Sequence, residues 1–93
     1  MKLVYARLAV VDLQRLRAFI AEHDPGSAAR VASELIQRIG MLPSFPDLGR
    51  SVEQAPDPDS IRDLVCGRYV VRYAKTANAI IVLRVWHHAE DRA

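Results

Sequence analysis

The spacing of apolar residues changes along the chain, and each change marks an element. From Lys2 to Leu8 the residues alternate loosely, Leu3, Tyr5 and Arg7 against Val4, Ala6 and Leu8, which predicts a short first strand. From about Val11 the step lengthens. Leu13, Leu16, Phe19 and Ile20 recur every three or four residues while Asp12, Arg15, Arg17 and Glu22 fall mostly elsewhere, the pattern of an amphipathic helix ending near His23. Asp24-Pro25-Gly26 signals a turn, and Ser27 follows as a candidate N-cap for a second helix. Its stripe is Ala28, Val31, Ala32, Leu35, Ile39 and Leu42, with Ile36 beside it and Arg30, Glu34, Gln37 and Arg38 outside. Helices near 10–23 and 27–42 with so short a link must fold back as an antiparallel hairpin.

Pro43 and Pro46 stop the second helix, and the stretch from Pro43 to Ser60 holds four of the five prolines plus Gly49, so it reads as a long loop. Beyond it, Ile61 to Cys66, Tyr69 to Ala74 and Ala79 to His87 read as a three-stranded antiparallel meander, turned at Cys66-Gly67 and around Lys75 to Asn78. Strict alternation places Tyr69, Val71 and Tyr73 on one face and Arg68, Val70 and Arg72 on the other. In the last strand it sets Ile81, Leu83, Val85 and His87 against Ile80, Val82, Arg84, Trp86 and His88. Pairing Tyr73 with Ile81 would stack the arginine-bearing faces, leaving the helices to cover the face of Val71, Leu83 and Val85. The expected fold class is α+β, in the order β-α-α-β-β-β, an antiparallel sheet with an α-helical hairpin packed on one face.

Length and composition bound the rest. The 93 residues fit one domain spanning 1–93, and 51% hydrophobic with 26% charged residues is the balance of a soluble globule. The single cysteine, Cys66, has no internal disulfide partner, which points to a reducing, cytoplasmic setting. No apolar run is long enough for a membrane span, and Asp12 falls where a signal peptide needs its apolar core, so no membrane association is expected. Eleven of the 13 basic residues are arginine, yet a net charge of +2 is too small to imply nucleic acid by itself.

The segment "IRDLVCGRYVVRYAKTANAIIVLRVWHHAEDR", from Ile61 to Arg92, is similar to the C-terminal signature of the RelE/ParE toxins. In that family an "R-x-L" strand leads through a glycine turn into "Y-V-V-x-Y", then a variable turn and an "I-x-V-L-R-V-x-H" strand. The early helix "DLQRLRAFIAE", the second helix opening "SAAR" and the linker "LPSFPDLGR", which resembles the family's "P-x-x-G-R" element, extend the likeness over nearly the whole chain. The resemblance implies the toxin of a type II toxin–antitoxin (plasmid stabilisation) pair, held in a hetero-oligomer by a cognate antitoxin. RelE-like members cut messenger RNA on the ribosome; ParE-like members inhibit DNA gyrase.

Metal-free RNA cleavage needs a proton acceptor, cations for the phosphorane charge and an acid for the leaving oxygen. Arg68, Arg72 and Arg84 could form the anion cradle, with His87 or His88 as the titrating partner. For a nuclease the candidate set is therefore Arg68, Arg84, His87 and His88. Ribosome-cutting relatives commonly carry a tyrosine in the C-terminal tail, whereas here none follows Tyr73 and the ending "HHAEDRA" resembles ParE-type tails. On that branch Arg68, Arg72, Arg84, Trp86 and His88 become a target-binding surface, since a large aromatic beside arginines is typical of docking hot spots; the alternative for Trp86 is packing over the sheet edge. A non-toxic interaction module is the third alternative.

Other groups read more plainly. His87 falls on the predicted core face, Tyr69 and Tyr73 are expected in the core with hydroxyls at its rim, and Arg62, Asp63 and the Glu90-Asp91-Arg92 tail are expected to be solvated charges. Cys66 has no His-Cys spacing around it, and neither a metal nor a cofactor is expected. The antitoxin is expected on the hairpin, at Phe19, Leu35, Ile36 and Ile39, and along an open sheet edge.

Overall fold

The computed structural model describes residues 1–57 and 59–89. In chain order these form β1 (Lys2–Tyr5), α1 (Arg7–His23), α2 (Pro25–Ile39), β2 (Arg50–Ser51), β3 (Ile61–Cys66), β4 (Tyr69–Lys75) and β5 (Ala79–His87). The strands make one five-stranded sheet in the order β1-β5-β4-β3-β2. β3, β4 and β5 are the expected antiparallel meander, but β1 joins β5 in parallel, with Tyr5 opposite Val82 as the last pair, so the sheet is mixed. The two-residue β2, inside the proline-rich loop, pairs Arg50 with Asp63 and Ser51 with Arg62.

Both helices begin earlier than periodicity suggested. α1 starts at Arg7 because Ala6 is already extended and caps it, while the early apolar residues Leu8, Val10 and Val11 stay exposed and so carry no stripe to read. α2 starts at Pro25, whose fixed φ suits the first helical position, with Asp24 as N-cap. Ser27 is therefore not the cap: its hydroxyl donates to the Asp24 carboxylate at 2.7 Å. The second helix stops at Ile39, and Leu42 is buried in the turn that follows.

The core lies between the hairpin and one sheet face, built from Leu16, Leu35, Ile39 and Leu42 against Leu64, Val71, Tyr73, Ile80, Val82 and Val85. Ile80 and Val82 are thus inside, not outside with Arg84, and Ile81 and Leu83 are only partly buried. The cause is a register shift. Arg72 faces Arg84 but Tyr73 faces Val82, not Ile81, so Leu83 is an extra residue in β5. One inserted residue reverses the side-chain parity of everything before it, which strict alternation could not foresee.

The long loop is tied to the sheet. Tyr73, fully buried, sends its hydroxyl into the loop and not to the rim: Oη donates to the Pro46 carbonyl at 2.6 Å and accepts the Gly49 N–H at 2.9 Å. Gly49 is there because a Cβ would stand 2.8 Å from Tyr73 Cε1 and 2.9 Å from the Asp63 backbone. Arg62 is likewise no solvated strand charge, since its Nη1 donates to the Gly49 carbonyl at 2.7 Å and its guanidinium lies beside Asp47. The "P-D-L-G-R" stretch is therefore the clamp that carries the chain from helix to sheet.

Candidate functional site

The sheet face away from the helices carries two arginines directly opposite each other, Arg72 on β4 and Arg84 on β5. Like charges so placed repel unless each is matched. Arg72 donates from Nε and Nη2 to the two carboxylate oxygens of Asp63 at 2.8 and 2.9 Å. Arg84 donates in the same forked way to Asp12 at 2.8 and 3.1 Å. These are bidentate pairs, the geometry that suits a planar guanidinium best. The hydrogen bond from Arg72 to Asp63 raises its pKa further, and Asp63 is a fixed partner, not a solvated charge.

Asp12 is the residue that sequence reasoning misplaced. Assigned to the polar side of the first helix, it is only 3% exposed. Beyond the last β1 pairing its carboxylate also accepts the Val85 N–H at 2.9 Å, and Arg15 stands 3.7 Å away. Burial pushes its pKa up, but the Arg84 hydrogen bonds, the Val85 amide and the charges of Arg84 and Arg15 outweigh that and hold it below the usual carboxylate range. Its hydrogen-bond partners Arg84 and Val85 lie more than seventy residues away, so nothing local could have revealed them.

Trp86 completes the cluster. The Arg72 guanidinium lies 5.1 Å from the centre of its ring, and its cross-strand partner Val70 is left only 9% exposed although it is on this outer face. Arg68 and His88 lie at the end of the strand pair, where Gly67 takes the positive φ of the tight turn. The Arg68 carbonyl accepts the His88 backbone N–H at 2.8 Å, and His88 Nδ1 lies 3.0 Å from the same oxygen. His87 turns to the core side, edge-on to Tyr69, and its Nδ1 accepts the Ala89 N–H. The fold thus gathers Arg72, Arg84 and Trp86, holds Arg68 and His88 together at the end of the same strand pair, and turns His87 to the core side. The expected tail charges Glu90, Asp91 and Arg92 lie outside the described residues.

A second surface lies on the hairpin. Leu13, Leu16 and Ile20 of α1 and Ala28, Ala32, Leu35 and Ile36 of α2 border an apolar groove of about 190 Å³. Ile36 at 49% and Phe19 at 56% exposure lie on the surface, Phe19 stacked on His23. Leu35 and Ile39 are not, because both are core residues; Leu35 only floors the groove. At the sheet edge β2 covers only Arg62 and Asp63 of β3, and Val65 beyond it is exposed. Burial pushes the Cys66 thiol pKa up. Among the described residues no three His, Cys, Asp or Glu side chains converge as metal ligands, and no helix is long and apolar enough to cross a membrane.

Comparison with known proteins follows the same outline. The family model described as the ParE toxin of type II toxin–antitoxin systems, parDE, matches residues 3–92. The chain is 35% identical over 81 residues to Toxin RelE1 of Caulobacter vibrioides, covering 87% of this chain and 86% of that protein. It is 28% identical over 85 residues to Toxin RelE3 of the same organism, covering 87% of each. A solved structure titled as the chromosomal ParDE TA system from P. aeruginosa superimposes with a TM-score of 0.80 at 20% identity, covering 94% of this chain and 95% of that one, a likeness of fold.

Proposed function

The chain belongs to the ParE toxin family of type II toxin–antitoxin systems, and on that premise we propose that it arrests growth by docking its arginine face on DNA gyrase and is neutralised by a cognate antitoxin. The observation that carries the choice of target is the pairing of both central arginines with carboxylates, Arg72 with Asp63 and Arg84 with Asp12. A phosphorane or a message backbone calls for uncompensated positive charge, and here the charge is already matched. What is left is a flat, pre-ordered guanidinium pair beside Trp86, the composition of a protein-docking hot spot. The titrating groups lie elsewhere than between these arginines: His87 is turned to the core side against Tyr69, and His88 is held at the strand end by the Arg68 carbonyl.

The antitoxin, on this reading, lays an amphipathic helix in the groove between α1 and α2, where Ile36 is exposed, with Phe19 open on the same hairpin, and adds an extended segment at the β3 edge around Val65. Expression with and without the antitoxin tests the proposal. Growth arrest with signs of DNA damage, relieved by the antitoxin, is the expected result. Translational arrest with cut messages would instead support the ribosome-dependent nuclease, and normal growth a non-toxic binding module.

A further inference from the structure

We infer that Asp12 is a positioning residue for the docking face: from α1 it fixes the Arg84 side chain and the adjoining β5 backbone, so that Arg84, Arg72 and Trp86 present one rigid surface. The inference rests on the reading of that face as the target-binding one.

Four observations lead to it. The pair is asymmetric, with the Asp12 side chain 4% exposed and that of Arg84 34% exposed, so the acid is sunk and the base stays partly exposed on the sheet face. A pair built for burial would hide both. The carboxylate takes the Val85 N–H as well as the Arg84 fork, pinning main chain and side chain at consecutive residues. Those residues follow the register shift at Leu83, and such irregularities re-aim side chains at the price of local regularity. Lastly, the desolvation of the Asp12 carboxylate is offset by the Arg84 fork and the Val85 N–H together, so the pair holds the side chain in place while the carboxylate stays charged. Its return is order: a long side chain already held in one rotamer loses less freedom when a partner arrives. Among the described residues Arg15 is the other charged group near the carboxylate, at 3.7 Å. Asp12 does not border the hairpin groove, although its neighbours Leu13 and Leu16 do.

The full chain is expressed from a graded inducible promoter as wild type, Asp12→Asn, Arg84→Lys, Arg84→Ala and Leu42→Ala. Toxicity is scored as the inducer dose for half-maximal arrest, and NMR hydrogen exchange reads the Arg84 Nε–H. Asp12→Asn loses the ionic tether, and Arg84→Lys keeps the charge but not the fork. Each should raise the dose about tenfold, the scale of a lost hot-spot contact, and Asp12→Asn should also remove the exchange protection of the Arg84 Nε–H. Leu42→Ala, a buried truncation away from this face, controls for stability alone and should stay toxic wherever it is folded.

Full toxicity of Asp12→Asn or Arg84→Lys beside an impaired Arg84→Ala would overturn the inference while leaving the docking face standing. Full toxicity of Arg84→Ala, or a wild type that arrests nothing, would remove the docking reading and the inference with it. Equal loss in Leu42→Ala and Asp12→Asn at matched stability would reduce Asp12 to a fold-stabilising residue.

Discussion

Replacing Tyr73 with Phe tests the loop clamp by removing one oxygen atom. That oxygen sits on a fully buried ring and makes two hydrogen bonds, donating to Pro46 O at 2.6 Å and accepting from Gly49 N at 2.9 Å. Phe fills nearly the same volume, so no cavity opens and the loss is confined to the two bonds. A buried polar group stripped of its partner costs roughly 1–3 kcal/mol. Two such groups on one loop, which relaxes in part toward water, give about 2–4 kcal/mol. For a domain of this length each kcal/mol moves Tm by about 4–8 °C, so thermal unfolding followed by circular dichroism should shift down by at least about 8 °C. Gly49→Ala attacks the same clamp sterically, with its Cβ 2.9 Å from the Asp63 backbone, and the double variant should lose less than the sum of the two. A Tyr73→Phe protein melting within about 2 °C of wild type, no more than half the smallest shift a 1 kcal/mol loss predicts, would refute the reasoning.

Leu35→Ala truncates a core side chain of α2 and should lower stability by roughly 2–5 kcal/mol in urea unfolding; an unchanged midpoint would sink the core assignment. Asp12 has a folded pKa below its unfolded value, so its contribution is fully present above about pH 4 and disappears as pH falls through the lower folded value. Stability measured against pH should therefore fall more steeply below about pH 4 for wild type than for Asp12→Asn, and superimposable acid limbs would contradict the pairing. Trp86→Ala should abolish toxicity or weaken target binding, as measured by dose-dependent arrest, while His88→Ala should change it little.

Periodicity was enough to read the hairpin, the three-stranded meander and the gathering of Arg72, Arg84 and Trp86 on the sheet face away from the helices, because each depends on residues close in sequence. What escaped it depends on distant partners. β1 alternates like any strand, and only its pairing along β5, from Lys2 opposite Ala79 to Tyr5 opposite Val82, makes it parallel. The inward turn of Ile80 and Val82 follows from a single extra residue, Leu83, that no pattern of apolar residues distinguishes from an ordinary strand position. Asp12 looked like any charge on a helix until β5 brought Arg84 and the Val85 amide to it. On the hairpin, Leu35 and Ile39 shared a stripe with nothing to separate core from surface, and packing assigned both to the core while leaving Ile36 exposed. The glycine of "P-D-L-G-R" was legible as part of a long loop, but its reason is the approach of Tyr73 and the Asp63 backbone.

The central claim is the target, and a supercoiling assay with purified gyrase, run beside a ribosome-dependent message-cleavage assay on the same toxin preparation, addresses it most directly. The account predicts that supercoiling is inhibited, that inhibition is lost in Trp86→Ala, and that messages remain intact. Message cleavage abolished by replacing His87 or His88, with supercoiling untouched, would contradict it.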